Sequence, residues 1–240
     1  EVADAIRIDD TVPGAPVVIS GCTVRNYTNR FVYVSLSGKI ESLTIDDCIF
    51  IGADNSTTNK AIYASSAHTQ VETLSVTNST FLNFNTGSNY FFRINCGEEL
   101  VLMPVVLIDH CTFYNCYDRR GVYLYNAGRS TIKNCISAFS ERRDDTKSFT
   151  AYGDESIVKN VISYNVDLYG SAPKENIISK NPLFVDAENG NFQLYKDSPA
   201  VGAGDDGSDL GDPRWGVSTE NAPVGELPYE CFKKPYSMSP

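Results

Sequence analysis

The sequence predicts an all-β fold: a single-stranded, right-handed parallel β-helix of about six or seven coils, with three strands per coil. Two observations predict it. A short phrase of one apolar residue, two polar residues and a small residue returns six times in the 240-residue chain, ending at Cys22, Cys48, Ser79, Cys111, Cys135 and Val161. The ends of these phrases lie 26, 31, 32, 24 and 26 residues apart. A period in that range marks a solenoid, whose repeats bury their apolar faces only by stacking on their neighbours. The second observation is the pattern inside each repeat, which alternates with period 2.

Each element follows from that pattern. Leu43 and Ile45, then Cys48 and Phe50, give two short strands broken by Asp46-Asp47. Leu74, Val76, Ser79 and Phe81 repeat this, as do Val106, Ile108, Cys111 and Phe113. The slot before the small residue holds Gly21, Asp47, Asn78, His110, Asn134 or Asn160. Gly, Asn and Asp tolerate the left-handed backbone that a one-residue corner needs. The small residues should then stack as one buried column. A third strand closes each coil over Phe31–Leu36, Ala61–Ser65, Phe91–Asn95, Gly121–Tyr125 and, less regularly, Phe149–Gly153. At about 4.8 Å per stacked strand the rod is roughly 30 Å long.

The expected organisation is coils over residues 1–170, a last coil and C-terminal cap over 171–215, and an extended Pro-containing tail over 216–240. Phe184, Phe192, Leu194 and Val201 are expected to plug the open end of the rod, where an uncovered coil would expose a pairing edge. The chain starts at Glu1 without an initiator Met. It reads as the C-terminal module of something longer or as a processed mature chain.

Composition narrows the function. No apolar run approaches the roughly 18 residues of a membrane span. The seven cysteines include four in the predicted interior column and no C-x-x-C pair, so small apolar fillers fit better than disulfides or a metal site. Cys96, Cys116 and Cys231 stay unassigned. The net charge is −10. Residues 118–147 carry seven cations against four carboxylates, a local surplus of three on an otherwise acidic protein. Such a band suits a polyanion or simply a solvated loop. The overall acidity and the lack of a reader motif argue against nucleic acid.

The candidate site is on the third strand. Tyr33, Tyr63, Arg93 and Tyr123 recur every 30 residues, and their neighbours are apolar. Side chains alternate across a strand, so this row faces out. Two positions on, Ser35, Ser65, Asn95 and Tyr125 form a parallel row. Such a stripe suits a sugar chain, whose rings pack on aromatic faces and whose hydroxyls need polar partners. The substrate-binding candidates are Tyr33, Tyr63, Asn95, Tyr125, Arg119 and Arg120. Arg93 is placed to neutralise a uronate carboxylate, and Tyr123, or else Tyr63 or Tyr125, to act as base if nearby Arg charge lowers its pKa. The competing account is that tyrosine favours exposed strands and stacks there without a ligand.

The string NPLFVDAENGNFQLYKDSPAVGAGDDGSDLGDPRW, from Asn181 to Trp215, resembles the closing segment of secreted β-helix proteins of the pectin-lyase-like superfamily. It is most similar to Bacteroidetes surface proteins linked to polysaccharide use. The resemblance implies a secreted, periplasmic or cell-surface protein that binds a polysaccharide, and a lyase acting by β-elimination if it is an enzyme. The rival classes are a non-catalytic glycan-binding module and a structural or adhesin-like spacer. The stripe lacks the calcium-binding carboxylates of many pectate lyases, and the clustered aspartates and histidine of polygalacturonases are also missing. Ca2+ is the one candidate ion. The acidic loop Gly202–Asp212 resembles a calcium loop, but its carboxylates lack regular ligand spacing. His110 sits in a corner slot and is expected to be structural. His68, near the stripe's edge, is the remaining base candidate. A monomer is expected.

Overall fold

A computed structural model describes residues 4–9, 15–25, 27, 29–35, 39–52, 60–66, 70–84, 90–96, 105–116, 118–125, 128–142 and 144–223. His68, Cys231, the insert over 53–59 and the tail beyond 223 lie outside the described residues.

In chain order the strands are β1 (Asp4–Ile8), β2 (Val17–Ser20), β3 (Thr23–Arg25), β4 (Arg30–Val34), β5 (Lys39–Asp46), β6 (Ile49–Ile51) and β7 (Lys60–Ser66). Then come β8 (Gln70–Thr77), β9 (Thr80–Leu82), β10 (Phe92–Cys96), β11 (Val105–Asp109), β12 (Thr112–Tyr114), β13 (Val122–Leu124), β14 (Arg129–Ala138) and β15 (Lys147–Ala151). The last are β16 (Ile157–Tyr164), β17 (Asp167–Tyr169), β18 (Lys174–Ile178), β19 (Phe184–Asp186) and β20 (Asn191–Leu194). The fold is all-β, with long parallel sheets that fit a β-solenoid. One sheet runs β1-β4-β7-β10-β13-β15-β17, and a second carries the remaining strands up to β18. Every pairing in both sheets is parallel, while β19 and β20 form a small antiparallel pair. Among the described residues no helix is long and apolar enough to cross a membrane.

Registers follow the sequence repeat. Val32, Ile62, Phe92, Val122 and Phe149 align in the first sheet, and Ile45, Val76, Ile108, Ile132 and Val158 in the second. These side chains form one continuous core, with Phe50, Phe81 and Phe113 stacked at its centre at centroid spacings of 5.1 and 4.8 Å. Cys48, Ser79, Cys111, Cys135 and Val161 are fully buried in a column, while Cys22 at its start is only partly covered. The five described cysteine thiols are all free. Burial pushes the Cys116 thiol up to about 12, as expected of an inert filler rather than a reactive group.

The corner slots behave as their residue types dictate. Gly21, Asp47, Asn78, His110, Asn134 and Asn160 all have φ between 48° and 65°. Asn176 adds a seventh at 49°. A second row of left-handed corners, at Asn83, Asn115 and Asn165, follows β9, β12 and β16. Its signal is present in the sequence as an Asn directly after each Leu82, Tyr114 and Tyr164, and the six-phrase pattern passes over it.

The C-terminal segment lies where the sequence reading does not put it. It packs on the outer flank of the second sheet instead of plugging the rod's end. Phe184, Phe192, Leu194 and Leu210 join Leu82, Tyr114, Ile136, Ala138 and Ile162 in a second core, separate from the first, and Val201 is exposed. The reason lies in β6, β9, β12 and β14. Ile49, Ile51, Leu82, Tyr114, Ile136 and Ala138 point away from the first core and still need cover. A strand that is apolar at consecutive positions is buried on both faces.

Candidate functional site

The outer face of the first sheet carries the predicted row. Arg7, Tyr33, Tyr63, Arg93, Tyr123 and Thr150 are successive register partners across β1, β4, β7, β10, β13 and β15. The structure also brings in a group that sequence reasoning missed. Tyr90 swings alongside Arg93 and fills the place of the missing ring. Tyr63, Tyr90 and Tyr123 then stack in sequence at 6.0 Å each, and Tyr33 joins at 5.9 Å. Tyr125 lies parallel on Tyr123 at 5.6 Å, and Tyr152 meets both edge-on. The signal for Tyr90 was available. Arg30, Lys60, Tyr90 and Arg120 also recur every 30 residues.

That second row supplies Arg30, Lys60 and Arg120 as cations, beside Arg93 of the first. The Arg30 guanidinium lies 3.5 Å from the Tyr33 centroid, Arg93 4.6 Å from Tyr90 and Arg120 4.7 Å from Tyr123. Lys60 sits 6.0 Å from Tyr63 and 5.6 Å from Tyr90. Each pair gains from the electron-rich ring face. Asp4 anchors one end through Arg30 Nε and Nη2, which donate to its two carboxylate oxygens at 2.5 and 3.2 Å. Arg93 Nη1 donates to the Tyr90 hydroxyl at 2.5 Å, while Arg93 Nε is buried and donates to no described residue.

Electrostatics sort the candidates. Burial lowers the Lys60 ammonium from its ordinary value; Tyr63 and Asp118 oppose this, and the charges of Arg30 and Arg93 add to it. Burial raises the Tyr123 phenol despite Arg120 and Arg93, and raises Tyr90 likewise. A base role for Tyr123 needs the opposite shift, because burial favours the neutral phenol. Tyr123 is 6% exposed, with Tyr90, Tyr125 and the Arg120 guanidinium against its ring. The row therefore offers ring edges, hydroxyls and cations, rather than the open ring faces on which a sugar would stack.

The other candidates are dispersed. Asn95 is held in β10 opposite Ser65, and its side chain lies outside the described residues. Arg119 is exposed, and its backbone N–H caps the Asp118 carboxylate at 2.7 Å. The basic band of residues 118–147 is split. Arg120 joins the stripe, Arg142 and Lys147 pair with Asp167, and Lys133 pairs with Asp109 and Asp205.

The acidic loop Gly202–Asp212 uses its carboxylates as fasteners. Asp205 faces Lys133 at 3.2 Å and Lys159 at 3.0 Å, and accepts from the Asn134 amide at 2.9 Å. Asp209 accepts from the Gly202 N–H, and Asp206 from the Ser208 N–H. Asp212 is buried, accepts from Thr80 Oγ1 at 2.6 Å and pairs with Arg214 at 2.7 Å. Arg214 extends to the Asn78 carbonyl and the Asp47 carboxylate, and the Trp215 indole donates to Thr80. Asp212-Pro213-Arg214-Trp215 is thus a clamp onto the corners of several coils. Among the described residues no three metal-binding side chains converge.

Residues 106–215 match the model of a domain of unknown function (DUF5123), and residues 9–86 match that of another (DUF4957). The first match spans both the later coils and the flank segment clamped to them. No curated protein matches the chain.

Proposed function

We propose that this chain binds an acidic, uronate-containing polysaccharide along the outer face of its first sheet, as a secreted or cell-surface protein of carbohydrate use. The same reading takes the stack as a right-handed parallel β-helix of six or seven coils, of the pectin-lyase-like kind. The observation that carries it is the row of Arg30, Lys60, Arg93 and Arg120 over tyrosines, at strand-to-strand intervals, on a protein of net charge −10. Cations concentrated on an acidic molecule attract a polymer that presents a carboxylate at each step.

The polymer lies along the stack axis. Arg93 and Arg120 hold its carboxylates, the Tyr hydroxyls bond its hydroxyls, and Arg30 is already paired with Asp4. Binding is favoured over cleavage, since the raised Tyr123 phenol is a poor base at neutral pH. One observation favours a second reading, a purely structural ladder: the rings stack face to face on one another, and Tyr123 is buried.

Calorimetric titration with polygalacturonate, alginate and a neutral glucan, at low and high salt, separates the two. The binding reading expects affinity for the acidic polymers alone, weakened by salt. It expects a loss of about 5–10-fold in Arg120→Ala, equivalent to about 1–1.4 kcal/mol. Absence of binding to any acidic polymer leaves the structural ladder. Ultraviolet absorbance of unsaturated uronate, with and without Ca2+, reads out cleavage in the same samples.

A further inference from the structure

The corner at His110 holds chemistry that the stripe does not use. His110 Nδ1 lies 2.8 Å from Asp109 Oδ1, and His110 Nε2 lies 2.7 Å from the Ser208 hydroxyl. The three residues come from the end of β11 and from the flank loop, 98 positions apart between His110 and Ser208. Beside them is a cavity of about 390 Å3. His110, Ser208 and Asp209 stand at its polar side, with Ile136, Phe192 and Trp215 among its apolar walls. The Asp209 N–H, next after Ser208 in the chain, donates to no described residue.

We propose that Ser208, His110 and Asp109 form a serine-hydrolase centre that cleaves a carboxylic ester whose small acyl group enters this cavity. A hydroxyl is a weak nucleophile until a base takes its proton, and imidazole does so when a carboxylate fixes its other nitrogen. Ser208 Oγ attacks the ester carbonyl and forms a C–O bond as its proton passes to His110 Nε2. The tetrahedral adduct collapses, the bond to the alcohol oxygen breaks, and His110 returns the proton to the departing alcohol. Water then attacks the acyl-Ser208 ester, giving one proton to His110, and Ser208 leaves with that proton. One ester and one water become an alcohol and a carboxylic acid. Asp109 acts through His110 and is a positioning residue. The Asp209 N–H is the candidate donor to the oxyanion.

The groups facing His110 set the pH at which this works. The Asp109 hydrogen bond raises His110 against the opposing effect of burial. Asp109 and Asp206 charges add to the rise, and Lys133 subtracts from it. When protonated, His110 donates to Ser208 and only ties the loop down. When neutral, it can take the Ser208 proton, in competition with the Asp206 carboxylate, which also hydrogen-bonds the Ser208 hydroxyl. Activity therefore rises with pH through a value above the ordinary imidazole range of about 6.5. Asp109→Asn removes the largest cause and moves that limb to lower pH while slowing the reaction.

The test treats the full chain with a fluorophosphonate probe, locates the adduct by peptide mass, and follows p-nitrophenyl acetate hydrolysis across pH. The expected result is an adduct on Ser208, and hydrolysis lost by about 10²-fold or more in Ser208→Ala and His110→Asn. The absence of an adduct on wild-type Ser208 overturns the proposal and leaves Ser208 as a fastener of the loop. So does an adduct rate unchanged in His110→Asn. The proposal stands apart from glycan binding, because Arg120→Ala leaves the probe reaction intact and Ser208→Ala leaves polymer affinity intact.

Discussion

Asn134 shows why the corner slots tolerate so few residue types. Its φ is 52°, a conformation that costs an ordinary L-residue about 1–2 kcal/mol. Its buried amide donates to Asp109 at 3.0 Å and to Asp205 at 2.9 Å, and its oxygen accepts from the Asp205 N–H at 3.1 Å. Asn134→Ala is expected to lose about 2–4 kcal/mol in urea unfolding. Asn134→Gly, which keeps the backbone conformation, should lose about 1 kcal/mol less. The same cluster sets an acid limb. The Asn134 and Lys159 hydrogen bonds, with Lys133, hold the Asp205 carboxyl well below the usual carboxylate range. Burial pushes Asp109 up, but His110, Lys133 and Asn134 outweigh it and the net shift is downward. Depressed carboxyls stabilise the fold above their unfolded value of about 4, and that contribution disappears as pH falls through the folded values. Melting temperature should therefore drop below about pH 4, and Asp205→Asn should flatten that drop.

Among the elements, the inner strands are the most constrained. Phe81 is stacked between Phe50 and Phe113 with no exposure. Phe81→Ala should cost about 3–5 kcal/mol by urea denaturation, since rigid parallel strands cannot collapse into the void. Gly121 ends the series Phe31, Ala61, Phe91 for a backbone reason. Its φ is 58°, and an added Cβ would meet the Lys147 carbonyl at 2.1 Å and that of Ser148 at 2.2 Å. Gly121→Ala should prevent β13 and β15 from pairing as they do, which hydrogen exchange at Leu124 and Ala151 would report as lost protection. The inner faces, the corner row and the outward Tyr row were legible in the sequence, because each follows from period 2 and a fixed repeat. Tyr90 was harder to see. It belongs to the 30-residue series of Arg30, Lys60 and Arg120, but no period tells that its ring stacks between Tyr63 and Tyr123 beside Arg93.

For the whole molecule, the decisive feature is the flank segment. Arg214 ties it to the Asn78 carbonyl, to Asp47 and to the buried Asp212. Arg214→Ala leaves Asp212 without its counter-ion, and a loss of about 2–3 kcal/mol is expected in thermal unfolding. Limited proteolysis should then cut first within 200–212. The pattern of apolar and polar residues was enough to specify an all-β parallel stack, its core column and its left-handed corners, since these depend on neighbours one repeat away. Where the C-terminal segment docks, which hydroxyl meets His110, and how far the tyrosine rings cover one another were decided only by tertiary structure. The contacts of the C-terminal segment, His110 with Ser208 among them, join residues about a hundred positions apart. No local period encodes such a meeting. It is fixed when the outward apolar face of β6, β9, β12 and β14 finds its cover.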